Sequence, residues 1–267
     1  MVSAPTNKTT PAELRAAARA GIFSGLTTGL APNFVQVNLV VLPAEDATDF
    51  IAFCRSNEAA CPVLAVSEPG KPYCPTLGED VDLRSDCPAY WIHRNGQRAE
   101  TVNDIRACWR DDLVGVAIGC WFSMEEALTR AGVRLRHLEL GIQGPLMRTN
   151  RLTAPIGVFS GPLVVSMRPF LSEQVATVKA VTGRFPRLHG APIHEGDPRI
   201  LGISSFERPD FGEPMQPLAG EIPLYWGCGL TALSALQRAR LPFFVTHAAG
   251  AMLVSDIRNS DLEQAVL

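Results

Sequence analysis

Two strings in this chain place a thiol beside a glycine at the mouth of a helix-forming segment: Gly119-Cys120-Trp121 and Gly227-Cys228-Gly229. A thiol at such a turn faces free backbone amides and the positive end of the helix dipole, which favour anions and lower a thiol's pKa. A third group, His247, closes the apolar run from Phe243 to Val245. Cys120, Cys228 and His247 are therefore candidate catalytic residues, as nucleophile or as acid and base. The plainer reading is a glycine-rich turn filled by a small buried cysteine, and Cys120, flanked by Trp121 and Phe122, fits that reading well.

Arginine suits planar, bidentate recognition of a carboxylate. The string Met147-Arg148-Thr149-Asn150-Arg151 and the later Arg168 supply such groups, so Arg148, Asn150, Arg151 and Arg168 are candidate substrate contacts. Solvated surface charge is the alternative. The loop from His189 to Pro198 carries two histidines with Glu195 and Asp197. No partner at ordinary spacing completes a ligand set, so no metal is expected, and His194 and Asp197 are read as substrate-side residues. Ser123 and Thr231 lie three residues beyond their respective cysteines, and Glu125 opens the helix after Cys120 as a further candidate acid. Asn33, with Gln36 and Asn38, stands at the mouth of a strand, as a substrate contact or a cap on loop backbone.

The elements that must hold these groups follow from pattern. Thr10-Pro11-Ala12-Glu13 is a helix start with a capping hydroxyl, proline at the first helical position and Glu three residues after the cap. Val35 to Leu42 reads as a strand, and Tyr90 to Arg94 as another, turning at Asn95-Gly96. Leu113 to Ile118 is a strand running into the first Gly-Cys turn, and a helix follows up to Gly132. Ile222 to Trp226, a helix from Leu230 to Arg240, and Phe243 to Val245 read as a βαβ unit, whose first turn would sit at the carboxyl edge of a parallel sheet. At an offset of 108 residues Gly119-Cys120 falls on Gly227-Cys228, Ser123 on Thr231, and Ala127-Leu128 on Ala235-Leu236, a weak internal repeat. Two matched turns of this kind can face each other across one crevice.

After Gly132 short runs broken by Gly and Pro replace the βα alternation. The fold class expected is α/β: a three-layer αβα main domain from 1–132 plus 219–267, with a smaller two-layer α+β domain, 133–218, inserted. The 46% apolar and 19% charged fractions are those of an ordinary soluble protein, and a net charge of −3 without a basic stripe argues against nucleic acid. The longest apolar run, Leu113 to Phe122, is too short to span a bilayer. Seven cysteines, an odd count without Cys-x-x-Cys, do not form a disulfide framework, so a cytoplasmic location is expected. The partners expected are a small-molecule carboxylate and, from chain size, a second copy in a homodimer, with no membrane.

Paired cysteines at matched turns resemble the cofactor-independent aspartate/glutamate racemases, whose pseudosymmetric halves each supply one cysteine. A much longer resemblance covers nearly the whole chain. The strings TGLAPNFVQVNLVVLP, VGVAIGCWFSMEEAL, MRTNRLTAPIGVFSGPLVVSMRP, GAPIHEGDP, LYWGCGLTALSAL and FVTHAAGAMLVSD are similar to the bacterial hydro-lyase family grouped under the name D-glutamate cyclase. One departure is Ala249, where members often carry proline after Thr-His-Ala. The resemblance implies a two-part α/β fold and carbon–oxygen lyase chemistry without a cofactor, the named example being D-glutamate to 5-oxo-D-proline with loss of water. It brings no established catalytic residue. The alternatives are an amino-acid racemase or epimerase using Cys120 and Cys228, and a carboxylate-binding protein without turnover.

Overall fold

A computed structural model describes residues 5–264; the ends of the expected main domain, 1–4 and 265–267, lie outside it. The chain is a mixed α/β protein with two antiparallel sheets. Helix α1 (Pro11–Arg19) starts as its sequence implies: Thr10 accepts from the Glu13 amide, and the Glu13 carboxylate accepts from the Thr10 amide at 2.9 Å. Strand β1 (Phe34–Pro43) leads into α2 (Ala44–Ser56) and then β2 (Val63–Val66). The hairpin β3 (Tyr90–Arg94) and β4 (Gln97–Val102) turns at Asn95 and Gly96, both at positive φ, as a two-residue turn of the right twist demands. Strand β5 (Leu113–Gly119) is followed by α3 (Glu125–Arg130), α4 (Arg136–Leu140) and β6 (Leu146–Leu152). Then come β7 (Pro162–Leu171), α5 (Val175–Gly183), β8 (His194–Glu195), β9 (Glu221–Gly227), α6 (Leu230–Ala239), β10 (Phe243–His247) and β11 (Leu253–Arg258).

The first sheet runs β2-β5-β1-β10-β3-β4, with β11 beside the first half of β1; the second runs β6-β7-β9-β8. In β1 the period of two is divided between two cores. Val35, Val37, Leu39 and Val41 join a cluster that includes Trp121, Phe170 and Trp226. Val40 and Leu42 pack on the other face with Phe50, Phe53, Leu236 and Phe244. Both faces are covered, so the strand is almost continuously apolar. Among the described residues no helix is long and apolar enough to cross a membrane.

The expected βαβ unit is corrected. β9 pairs antiparallel with β7 and β8 in the second sheet, whereas β10 pairs antiparallel with β1 and β3 in the first. Two short apolar runs around a helix do not encode strand direction. Their partners are far away in sequence, and α6 carries the chain from one sheet to the other.

The internal repeat, by contrast, is a structural correspondence. The order β2-β5-β1-β10 in one sheet matches β8-β9-β7-β6 in the other. Val37 pairs with Gly119, and Val165 pairs with Gly227. Each half passes its last strand to its neighbour: β6, after α3, joins the second sheet, and β10, after α6, joins the first. The loop after α2 presses the Ala59 carbonyl onto Gly227, and the loop after α5 presses the Arg187 carbonyl onto Gly119. Arg187 follows Ala59 by the same offset that relates Val165 to Val37. A Cβ at either glycine would overlap that carbonyl oxygen. Gly227→Ala should therefore cost about 1–3 kcal/mol in urea unfolding. An unchanged midpoint would mean that the loop yields freely.

Candidate active site between two glycine-cysteine turns

Ser123 and Thr231 fix the two turns in the same way. Ser123 Oγ accepts from the Gln36 amide at 3.0 Å and donates to the Gln36 carbonyl at 3.3 Å. Thr231 Oγ1 accepts from the Val164 amide at 3.0 Å and donates to the Val164 carbonyl at 3.3 Å. Each hydroxyl bolts the turn after one strand, β5 or β9, to the neighbouring strand, β1 or β7. Both are buried and spent on backbone, so their part is to hold the cysteines in place.

Cys120 and Cys228 line one cavity of about 210 Å³, together with Arg168, Ser166, Trp121, Asn38 and His247. That is below the roughly 300–1,000 Å³ of drug-sized sites and suits a metabolite of a few carbons. The thiols are not activated as the turn geometry suggests. Burial pushes Cys120 up to about 12, and it raises Cys228 too; both effects outweigh the amides of Phe122 and Leu230, which pull down. Both thiols are neutral at pH 7.

Arg168 is the dominant charge. It projects from β7 with 2% of its surface exposed, and its Nη1 donates to the Met167 carbonyl at 2.8 Å. Its Nε has no partner, and among the described residues no carboxylate forms an ion pair with it. The guanidinium lies 5.0 Å from the centre of the Trp121 ring and 5.9 Å from that of Phe122, both favourable to a cation. Burial lowers its pKa to about 10, which leaves it protonated at neutral pH. Trp121 Nε1 and Ser166 Oγ are also buried without partners. The residues that carry these three unpartnered donors all line the one small cavity. Such groups are rare in folded proteins and costly unless a ligand completes them.

The facing wall is different. Asn38 Nδ2 donates to the Gly119 carbonyl at 3.0 Å, which turns Oδ1 toward His247 Nε2 at 3.1 Å. His247 Nδ1 faces the Ala248 carbonyl at 2.8 Å. Both partners are acceptors, so the neutral ring satisfies one and the protonated ring would satisfy both. Burial lowers the His247 pKa to about 4, so the ring rests neutral and one proton short of its hydrogen bonds.

The protein-family model described as D-glutamate cyclase matches residues 114–256, the stretch that contains Arg168, both cysteines and His247. A protein named "Putative hydro-lyase" from Bordetella pertussis is 49% identical over 250 residues, 94% of this chain and 90% of its own. Proteins of the same name from Bordetella petrii and Jannaschia sp. are 50% and 48% identical over 246 residues, 92% of this chain and 93% and 92% of theirs. This chain belongs to the D-glutamate cyclase family. A solved structure, of a nitrogen repressor-like protein from Methanococcus jannaschii, aligns over 96% of this chain and 98% of its own with a TM-score of 0.41 and 12% identity, a likeness too slight to bear on function.

In this member of the D-glutamate cyclase family the other sequence candidates fall outside the cavity. Arg148 pairs with Asp210 at 2.8 Å and lies over the Phe211 ring at 4.5 Å. Asn150 and Arg151 are exposed on β6. His194 Nε2 is 2.9 Å from the Asp197 carbonyl, and Asp197 caps the Arg199 amide at 3.0 Å and pairs with its side chain. Asn33 is exposed in a left-handed turn, φ 75°. Glu125 shares with Asn33 a separate hollow, and Glu125 Oε1 is 2.6 Å from His137 Nε2. Burial raises Glu125 to about 8 and lowers His137 well below its usual value, so one proton serves both.

Sequence reasoning does not single out Ser166, and it reads Trp121 only as packing beside Cys120 and Asn38 only as a strand-mouth residue. A signal existed for Ser166: it precedes Arg168 by two positions on a strand, so both side chains point to one face.

Proposed function

We propose that this chain is a hydro-lyase that removes water from a small amino acid bearing a carboxylate, with D-glutamate, cyclised to 5-oxo-D-proline, as the leading substrate. The observation that carries the reading is Arg168, buried, charged and unpaired in a cavity the size of a small metabolite. The Arg168 guanidinium supplies the charge and the fork for one substrate carboxylate, with Ser166 and Trp121 in the same cavity wall. The family and the names of the relatives support lyase chemistry.

Cyclisation balances as follows. The substrate ammonium gives up a proton, and its nitrogen attacks the side-chain carboxyl carbon. A C–N bond forms and one C–O bond breaks. The departing oxygen takes up the two protons lost from nitrogen and leaves as water. The proton carrier in this reading is His247, which lines the cavity as a neutral ring and whose protonated form would meet two acceptors, Asn38 Oδ1 and the Ala248 carbonyl. Loss of one water in the mass spectrum after incubation with D-glutamate, among a panel of amino and hydroxy acids, tests the reaction. His247→Ala should lower kcat by about 10²-fold or more. A variant with wild-type turnover would exclude the shuttle role.

One observation favours a second reading. Both cysteines line the same cavity from matched halves, as a two-thiol racemase would require. That reaction places solvent deuterium at the α-carbon of recovered substrate, and cyclisation does not. The raised thiol pKa values weigh against it, since the base must be a thiolate.

A further inference from the structure

A second, more open cleft of about 660 Å³ lies beside the substrate cavity, and four arginines line it. Arg98 comes from β4, Arg148 from β6, and Arg238 and Arg240 from the C-terminal end of α6. No acidic side chain lines it, and the one ion pair that any of the four forms among the described residues is Arg148 with Asp210. Compensation of the α6 dipole explains Arg238 and Arg240. It does not explain Arg98 and Arg148, which arrive from strands of different sheets. The cleft is firmly built: the tip of the β3–β4 hairpin hydrogen-bonds to the chain beyond α6, Asn95 to Pro242 at 3.3 Å and Gly96 to Leu241 at 3.2 Å.

The cleft and the cavity share their walls. Gln237 lines both. Arg98 lies 4.9 Å over the Trp91 ring and Arg148 4.5 Å over the Phe211 ring, and both rings line the substrate cavity. We propose that this cleft is a second anion site, binding a small molecule with two or more negative charges, phosphate or carboxylate, at the margin of the substrate cavity. Gathering four like charges is unfavourable until an anion neutralises them, and the guanidinium fork meets both kinds of oxyanion bidentately. The inference stands apart from the lyase reading, because it concerns binding outside the cavity.

Calorimetric titration tests it, with pyrophosphate and, separately, citrate, at ionic strength held constant with sodium chloride. Three proteins are compared: the wild type, the exposed double variant Arg98→Gln/Arg238→Gln, and Arg168→Met, each first shown folded by its thermal transition. The expected result is saturable one-site binding by the wild type. It weakens at least about tenfold in the double variant and persists in Arg168→Met. Tighter pyrophosphate assigns the site to phosphorylated ligands, and tighter citrate to polycarboxylates; either outcome supports a polyanion site. Absence of saturable binding would reduce the arginines to ordinary surface charge and overturn the proposal. So would binding lost in Arg168→Met but kept in the double variant, since the anion would then be occupying the substrate cavity.

Discussion

Arg168→Met should abolish carboxylate affinity and yet leave the protein at least as stable as the wild type. The arginine is buried on β7 and, among the described residues, makes no ion pair, so the empty protein bears the desolvation of a charge that contact with a carboxylate would offset. Methionine fills a similar length with apolar atoms against Trp121 and Phe122, and gives up one hydrogen bond to the Met167 carbonyl. Unfolding in urea should shift upward by about 1 kcal/mol or more. On the functional side, removing one partner of a buried charge pair costs a few kcal/mol, so kcat/KM should fall about a hundredfold or further. Arg168→Lys should rescue little, because a point charge does not reproduce the fork. Steady-state kinetics and urea titrations on the same preparations check both halves. A variant that bound substrate normally would remove Arg168 from the site, and one that lost activity by unfolding would remove the trade-off.

Acid should unfold this protein well above the range where ordinary carboxylates titrate. Of five histidines, His93, His137 and His189 are fully buried. Burial lowers His93, His189 and the cavity residue His247 to about 4, and His137 well below 6.5. A histidine whose folded pKa is depressed stabilises the fold above its unfolded value of about 6.5 and loses that contribution as pH falls toward 4. Glu125 works in the opposite sense. Raised to about 8, it favours the fold at low pH and loses that contribution as pH rises from about 4.5 to 8. Between about 4.5 and 6.5, Glu125 and His137 offset each other, one shared proton in the fold against one on the unfolded histidine. His93, His189 and His247 then remain as three protons taken up on unfolding, and stability should fall by about 4 kcal/mol per pH unit on acidification. From 6.5 to 8 Glu125 alone should make stability decline as pH rises. These groups together place the optimum near pH 6.5.

Urea titrations at a series of pH values test this, and two variants separate the terms. His93→Phe replaces a ring stacked on Phe244 whose Nδ1 has no partner, so it should flatten the acid limb by about one proton. Glu125→Gln keeps the neutral form of the carboxyl and should remove the decline above pH 6.5. A wild-type profile flat from pH 5 to 8 would mean that these rings titrate as they do in water.

Much of the local structure was legible because it depends on neighbouring residues only. The capping box at Thr10 and Glu13, the Asn95-Gly96 turn and the helix after each Gly-Cys pair are set within a few residues. The likeness of the two Gly-Cys segments was legible too, and it proved to mark halves with matching strand order. Strand direction was not. β9 and β10 flank one helix yet belong to different sheets, because pairing partners are chosen by long-range register and burial rather than by the strands themselves.

The candidate site divides along the same line. Residue type alone marked Cys120, Cys228, His247 and Arg168, and the structure brings all four to one cavity. It could not separate Arg168 from Arg148 and Arg151, since an arginine's meaning depends on what surrounds it. Arg168 is buried without an ion pair among the described residues, and the others stand in solvent. Nor could sequence foresee the thiol pKa values, because a helix amide lowers them locally while burial, a property of the whole fold, raises them further. Residue types and their spacing carry the chemical inventory and its twofold arrangement along the chain. Which of those groups are desolvated together depends on long-range packing, and desolvation is what turns a side chain into a site.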